Sequence, residues 1–229
     1  ETPDLAVIAV PPPAAPSAVR DCAEKGVRAA VVITAGFAEL GDEGGRLQDE
    51  MVRAARATGM VLVGPNCNGI RSTWEKLYVD FPSYHVPPGN LAVVCQSGGI
   101  VDGLARRSMI RGLGCSLCVA SGNEADLHME DYLAYSADDP RTNVILCYIE
   151  GFKDADRFYR IAREVTKKKP VVAYKAGKTP AGAKAALSHT ASVAGSDAVF
   201  DGICRQTGIL RAKNLHHLFN LGAAFIHQP

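Results

Sequence analysis

Short continuous apolar runs alternate with segments of helical period along most of the chain. The first part predicts strands at residues 5–10, 29–33 and 60–63, with helices at about 14–25 and 45–58 between them. Strands that are apolar at every position are typical of a sheet buried on both faces. The β-α-β-α-β order therefore predicts a parallel sheet covered by helices.

The alternation stops and then restarts in the second part of the chain. Residues 71–90 have no period and combine aromatic residues with Pro and Gly, which predicts a domain boundary. The strands predicted beyond it are 91–95, 115–119, 144–149 and 171–174, and the helices are 99–110, 127–136, 155–166, 197–206 and 214–225. This order predicts a doubly wound, flavodoxin-like sheet, in which ligands bind at the carboxyl ends of the strands.

Composition, charge and cysteine count exclude several classes of protein. The 229 residues are 47% apolar, and the net charge of +1 comes with 25 scattered basic residues, which argues against a nucleic-acid surface. No apolar run reaches the roughly 18 to 20 residues of a membrane span. Seven cysteines, an odd number, favour reduced thiols over a disulfide framework. We therefore expect a soluble, cytoplasmic protein with no nucleic-acid or membrane partner.

Polar and small residues follow four of the predicted strands. Gly64-Pro65-Asn66-Cys67 is one such turn, and Gln96-Ser97-Gly98-Gly99 is another, which runs into a helix. Backbone N–H groups at a helix start form a ready anion site. Ser121-Gly122-Asn123-Glu124 and Glu150-Gly151 close two further strands, so their side chains are expected at the same sheet edge. Taken singly, each motif is equally explained as a tight turn or a helix cap.

A histidine lies in a run of small and hydroxyl-bearing residues, Ser188-His189-Thr190-Ala191-Ser192, ahead of the helix predicted near residue 197. Imidazole titrates near neutral pH, and small neighbours leave room for a bulky group on its ring, so His189 could act as a nucleophile or an acid/base. The alternative is an ordinary surface histidine in a linker. The four motifs at one sheet edge favour the functional interpretation.

Two other constellations are interpreted as structural. Cys115 and Cys118 have the spacing of a redox motif, but they fall in a predicted strand, where residues three apart face opposite sides. Four residues look like metal ligands, but acidic residues are favoured at a helix start in any case: Asp126, His128, Glu130 and Asp131. We therefore expect no metal site in this chain.

Six motifs, in their order and spacing, resemble those of the acyl-CoA synthetases that form a nucleoside diphosphate. They are Gly64-Pro65-Asn66-Cys67, Ser97-Gly98, Ser121-Gly122-Asn123, Glu150-Gly151, Lys175-Ala176-Gly177 and Ser188-His189-Thr190. The superfamily includes the α subunit of succinyl-CoA synthetase and the ADP-forming acetyl-CoA synthetases. The resemblance implies an α/β fold in which a truncated CoA-binding Rossmann-like domain with its linker, residues 1–88, precedes a succinyl-CoA-ligase-like flavodoxin domain, residues 89–229. The glycine-rich turn of the first domain would then lie upstream of residue 1.

The resemblance also implies roles for particular residues. They are His189 and Glu150 for catalysis, Ser97, Gly98 and Gly99 for phosphate binding, and Asn66, Cys67 and Asn123 for binding of CoA or the acid. His189 would carry phosphate between the acyl phosphate and the nucleotide, while Glu150 held its ring. Ala191 stands where many relatives have glycine, which puts the conformation of this loop in question.

The reaction implied by the resemblance joins a small carboxylic acid to CoA while ATP becomes ADP and phosphate. ATP, ADP and Mg²⁺ would bind an ATP-grasp partner domain or β subunit, whose pattern these residues do not show, and the assembly is expected to be an oligomer. The alternative is a non-catalytic CoA- or acyl-CoA-sensing module of a fused acyltransferase. Such a sensor has no use for a phosphate-carrying histidine, so His189 and Glu150 favour the ligase.

Overall fold

The first of two sheets in the computed structural model is parallel, as the apolar runs predict. The structure describes residues 1–82, 84–177 and 197–228, and the segment that carries His189 lies outside them. Strands β1 (Leu5–Ile8), β2 (Ala29–Val32) and β3 (Val61–Val63) pair in that order. Helices α1 (Ala15–Glu24) and α2 (Asp42–Arg56) connect them and share one apolar core with the sheet.

A larger sheet follows, and in the described residues it has seven strands in the order β10-β9-β8-β6-β7-β4-β5. Their bounds are β4 (Gly69–Ser72), β5 (Leu77–Asp80), β6 (Pro88–Cys95), β7 (Cys115–Ala120), β8 (Val144–Ile149), β9 (Val171–Lys175) and β10 (Leu210–Arg211). The five strands from β10 to β7 are parallel, whereas β4 and β5 run antiparallel to their neighbours.

Helices cover both faces of this second sheet. They are α3 (Gly98–Ile110), α4 (Met129–Asp138), α5 (Ala155–Val165), α6 (Asp197–Thr207) and α7 (Leu215–His227). Helices α4, α5 and α6 pack on one face, and α3 and α7 pack on the other, each layer with its own apolar core. Within the described ranges, no helix is both long and apolar enough to cross a membrane.

The segment at residues 71–90 is more regular than its sequence predicts. It contains β5 and part of β4, and this hairpin extends the second sheet through the pairing of β4 with β7. Arg71 is only 1% exposed and forms an ion pair with Asp80 across the hairpin at 2.5 Å. A buried charged pair interrupts the apolar pattern by which strands are recognised. Strands β4 and β5 precede residue 88 and yet belong to the second sheet. The division of the chain at residue 88 stays a prediction.

The two cysteines of β7 lie on the same side of the sheet, not on opposite sides as expected. Cys115 and Cys118 both belong to the core beneath α3 and α7. The register between β6 and β7 shifts at this end of the pair, where β6 advances from Pro88 to Ala92 while β7 advances from Cys115 to Leu117, so regular pairing begins only at Leu117. Both residues are buried free thiols.

The two sheets are joined where the loop after β7 meets the loop after β3. The backbone N–H of Asn123 donates to the carbonyl of Pro65 at 2.9 Å, and that of Ala125 donates to the carbonyl of Gly64 at 3.0 Å. Both loops follow the carboxyl ends of parallel strands. The two sets of strand ends therefore face the same space.

Gly122 allows this close approach, and its replacement should loosen it. Its φ is +61°, and a Cβ there would lie 2.3 Å from the carbonyl oxygen of Pro65. We expect Gly122→Ala to lower the free energy of unfolding by about 2–3 kcal/mol in urea denaturation, because alanine is disfavoured both by this φ and by the lack of space.

A matched control is Gly103→Ala in α3, where a Cβ would meet no atom within 4 Å. This variant should raise the free energy of unfolding by about 0.5–1 kcal/mol, since alanine favours a helix interior over glycine. Unchanged stability in Gly122→Ala would contradict the close contact between the two loops.

Candidate active site

An open cleft of about 1150 Å³ lies at the carboxyl ends of both sheets. One wall comes from the segments that follow β1, β2 and β3, and the other includes the first turn of α3. The sequence-predicted site residues that line it are Asn66, Cys67, Ser97, Gly98 and Gly99. The structure thus brings together the residues predicted for phosphate binding and two of the three predicted for CoA or the acid.

The first turn of α3 offers backbone N–H groups to this cleft. Ser97 precedes the helix in an extended conformation, with φ −104° and ψ 124°, and its hydroxyl does not cap the helix. The N–H groups of Gly98 and Gly99 belong to the first turn, which has no carbonyl partners within the helix. Neither glycine has a positive φ, but a Cβ on Gly98 would lie 2.7 Å from Cβ of Asn68. The arrangement suits an anion such as phosphate.

Asn66 and Cys67 have different surroundings in the turn after β3. Asn66 has a φ of 55°, a conformation that non-glycine residues seldom adopt, and its amide donates to Oδ1 of Asn123 at 3.2 Å. The buried Cys67 thiol donates to the carbonyl of Val32 at 3.3 Å. Burial raises the pKa of the Cys67 thiol to about 12, so that it stays protonated and is no nucleophile at neutral pH.

Asn123 links the two sheets. Its Nδ2 donates to Glu39 and, at 3.1 Å, to Oε1 of Gln48, while its Oδ1 accepts from Asn66. These hydrogen bonds direct the buried amide toward the first sheet, and the neighbouring Gly122 forms the cleft wall at this point. A direct contact of Asn123 with CoA or the acid stays a prediction, and no sequence motif indicates its bridging role.

Glu150 is buried at the end of β8, beside Gln96 at the end of β6. Oε1 of Gln96 accepts from the backbone N–H of Glu150 and, at 3.1 Å, from that of Gly151. Nε2 of Gln96 donates to the carbonyl of Gly151 and to Oε2 of Glu124, both at 2.9 Å. The backbone of the predicted catalytic residue, Glu150, therefore belongs to a hydrogen-bonded network.

Glu124 is buried as well, and it joins this network through its carboxylate. Ser121 donates its hydroxyl to Oε1 of Glu124 at 2.7 Å, and Gln96 donates to the other oxygen. Burial raises the pKa of Glu124 from its usual 4.5 to about 7, an effect that these two hydrogen bonds only partly offset. The sequence patterns assign no role to Gln96 or Glu124, although Gln96 directly follows β6 and Glu124 lies in the turn after β7.

The segment with His189 lies outside the described residues, so its distance from Glu150 stays a prediction. Its starting point is known, because β9 ends at Lys175 beside Ile149, the residue before Glu150. The chain that leads to His189 therefore leaves the sheet one strand away from Glu150. Among the residues that the structure describes, no group of three or more His, Cys, Asp and Glu side chains could hold a metal ion.

These features define an α/β protein in which a parallel sheet and a mostly parallel sheet share one anion-suited cleft. A family model for the succinyl-CoA ligase like flavodoxin domain matches residues 88–225, and one for a CoA binding domain matches residues 1–73. The chain belongs to the family of succinyl-CoA ligase-like flavodoxin domains and carries a CoA-binding domain ahead of it. The family resemblance and the α/β fold class that the sequence predicts are both confirmed.

The similarity extends over nearly the whole chain. It is 42% identical over 226 residues to the α subunit of ADP-forming acetate–CoA ligase I of Pyrococcus furiosus, with 99% of this chain and 49% of that protein covered. It is 35% identical over 230 residues to an ADP-forming 4-hydroxybutyrate–CoA ligase of Nitrosopumilus maritimus, with 99% and 33% covered.

A solved structure shows the same architecture. The dinucleotide-forming acetyl-coenzyme A synthetase 1 of Ca. Korarchaeum cryptofilum, in complex with phosphate and ADP, matches with a TM-score of 0.94 and 38% identity. The match covers 100% of this chain and 49% of that one. The chain therefore spans between a third and a half of the length of these similar proteins.

The raised pKa of Glu124 predicts a pH-dependent difference in stability. The native state keeps the proton up to about pH 7, whereas the unfolded chain releases it near 4.5. Because the native state binds more protons in this window, ionisation of Glu124 lowers the free energy of unfolding as the pH rises through it. The variant Glu124→Gln lacks this ionisable group. In urea denaturation, its free energy of unfolding relative to that of the wild type should therefore increase by roughly 2–3 kcal/mol from about pH 5 to about pH 8.

Ser121→Ala serves as the control, since it removes a neighbouring hydroxyl and leaves the carboxyl group titratable. It should still lose stability as the pH rises, over a window that extends to higher pH, because the hydrogen bond that it removes lowers the pKa of Glu124. A difference between Glu124→Gln and the wild type that does not change with pH would contradict the burial of an ionisable group at this position.

Proposed function

We propose that the chain is the CoA-binding and phosphate-transferring portion of an ADP-forming acid–CoA ligase. The observation that carries the proposal is that the first turn of α3 and Glu150 follow two adjacent strands, β6 and β8. An anion-binding helix start and a buried carboxylate thus stand side by side at the edge of one cleft. The similarity to ADP-forming ligases over 99% of the chain supports the same reaction.

The proposed reaction converts a carboxylic acid, CoA and ATP into acyl-CoA, ADP and phosphate, through an acyl phosphate. One ring nitrogen of His189 accepts the phosphoryl group, and the other donates its N–H to the carboxylate of Glu150. The negative charge of Glu150 favours the imidazole state that attacks phosphorus. At the cleft, the N–H groups of Gly98 and Gly99 hold the phosphoryl oxygens, because they are already oriented toward an anion.

The cleft also fits the proposed cofactor. Its volume of about 1150 Å³ exceeds that of a typical drug-sized pocket, as a long molecule such as CoA requires. Its wall along the first sheet combines the apolar Val10 and Ile33 with the polar Thr34 and Asn66. Bound CoA would supply the thiol that attacks the acyl group, and this wall would hold and orient it.

Further components belong to the complete protein. We assign ATP, ADP and Mg²⁺ to an ATP-grasp domain or β subunit, in keeping with the similarity to a ligase α subunit. The active assembly is proposed to be an oligomer that contains this second component. We place the reaction in the cytoplasm, because all seven cysteines are free thiols.

The phosphate carrier is tested by labelling the complete protein, which contains the nucleotide-binding portion, with Mg-ATP. The wild type should gain one phosphate that is lost in acid and kept in alkali, as a phosphohistidine is. His189→Asn should abolish both labelling and acyl-CoA synthesis, because the amide cannot attack phosphorus. Glu150→Gln should slow labelling by about 10² to 10⁴, since it removes the charge that favours the reactive imidazole.

His227→Asn, at the exposed end of α7, is the matched control and should label at the wild-type rate. Full synthesis in His189→Asn, or acid-stable phosphate on a serine, would contradict the phosphate-carrier role. CoA binding without any nucleotide-dependent labelling of the wild type would favour a CoA-sensing module instead.

A further inference from the structure

Gln96 has a side chain whose hydrogen-bonding capacity is fully used. An amide oxygen can accept two hydrogen bonds and an amide nitrogen can donate two. Here the oxygen accepts from the backbone N–H groups of Glu150 and Gly151, and the nitrogen donates to Glu124 and to the carbonyl of Gly151. At 2% exposure, this side chain does not exchange these partners for water.

The orientation of this amide is set by its partners. Backbone N–H groups only donate, so the end of the amide that meets the N–H groups of Glu150 and Gly151 must be the oxygen. The nitrogen then faces Glu124, whose carboxylate accepts. Ser121 fixes the carboxylate in turn by donating to its other oxygen at 2.7 Å.

The network joins the ends of three neighbouring strands. Ser121 and Glu124 follow β7, Gln96 follows β6, and Glu150 follows β8, while β6 pairs with both of the others. Gln96 also directly precedes Ser97 and the first turn of α3. One side chain therefore ties the backbone that carries Glu150 to the start of the predicted phosphate site.

We propose that Gln96 is a positioning residue for phosphoryl transfer, which holds Glu150 where His189 is received, and that Glu124 fixes the direction of the Gln96 amide. This inference rests on the function proposed above. Leucine has a similar size but makes none of these hydrogen bonds. Glutamate keeps the acceptor for the two N–H groups but places a second carboxylate against Glu124.

Other ionisable groups face Glu124 from the surrounding elements. His128 and Glu130 approach it from the start of α4, and Lys153 approaches it from the segment after β8. Tyr132 in α4 and Cys147 in β8 lie nearby, and burial raises the pKa of both, so they remain neutral. In Gln96→Glu, the two adjacent carboxylates cannot both ionise without repulsion. That variant should therefore lose activity as the pH rises.

The test compares single-turnover phosphorylation of the complete protein by Mg-ATP in four variants: Gln96→Leu, Gln96→Glu, Glu124→Gln and the double variant that combines the last two. Gln96→Leu should slow labelling by about 10- to 100-fold, the range seen when outer partners of metal-ligating residues are removed, with little change in the KM for CoA. Gln96→Glu should be slow above neutral pH and recover toward acidic pH, where one proton lies between the two carboxylates.

The decisive variant exchanges the two side chains, as Gln96→Glu combined with Glu124→Gln. The carboxylate at position 96 then accepts from both backbone N–H groups and from the amide at position 124, with one negative charge retained and only the hydrogen bond to the carbonyl of Gly151 lost. We expect the double variant to label at least about tenfold faster than Gln96→Glu at pH 8, since neighbouring groups in one network act non-additively. If Gln96 only stabilised the fold, exchanging the two side chains would not restore the labelling rate that Gln96→Glu loses.

Ser116→Ala is the control for a buried hydrogen bond that lies away from the site. Ser116 pairs with Thr142 at 2.7 Å at the opposite end of β7, so its loss should lower stability without slowing phosphorylation. Wild-type labelling rates in a folded Gln96→Leu variant would overturn the role of Gln96. A double variant as slow as the product of the two single effects would overturn the role of Glu124. Absence of labelling in the wild type would instead overturn the proposed function itself.

Discussion

The contact between the loops after β3 and β7 determines how the two sheets face each other. It consists of backbone hydrogen bonds between Asn123 and Pro65 and between Ala125 and Gly64, and it depends on the missing side chain of Gly122. Parallel strands collect their turns and helix starts at their carboxyl ends. Joining the sheets at those ends makes one cleft from two sets of loops, so that the wall proposed to bind CoA lies opposite the first turn of α3.

A buried polar network supports this cleft, and it exchanges some stability for a defined geometry. Burying Glu124 is unfavourable for its charged form, which is why its pKa rises to about 7. Its hydrogen bonds with Ser121 and Gln96 restore part of that free energy and fix one orientation of the Gln96 amide. Buried polar groups that lower stability are expected where a site must keep a defined geometry.

Much of the fold follows from the sequence, because buried parallel strands are continuously apolar and are separated by helical periods. The bounds of β8, for example, are those that the pattern predicts. The hairpin of β4 and β5 was missed because Arg71, a charged residue, occupies a buried position and is paired with Asp80. Motif order located the walls of the cleft, but it did not reveal the link between Gln96 and Glu124. That link depends on how neighbouring strand ends meet in space, which a single sequence does not encode locally.

The proposed phosphate site at the start of α3 is tested most directly by comparing Gly98→Pro with Gly98→Ala in the complete protein. Gly98 is the first residue of the helix and follows the extended Ser97, so the backbone accepts proline there. Both variants add a Cβ near Asn68, and only proline removes an N–H donor. Phosphorylation of His189 should be slower in Gly98→Pro than in Gly98→Ala by about 10²- to 10³-fold, the usual effect of losing one preorganised donor. Equal rates in the two variants would show that the main chain of α3 does not hold the phosphate.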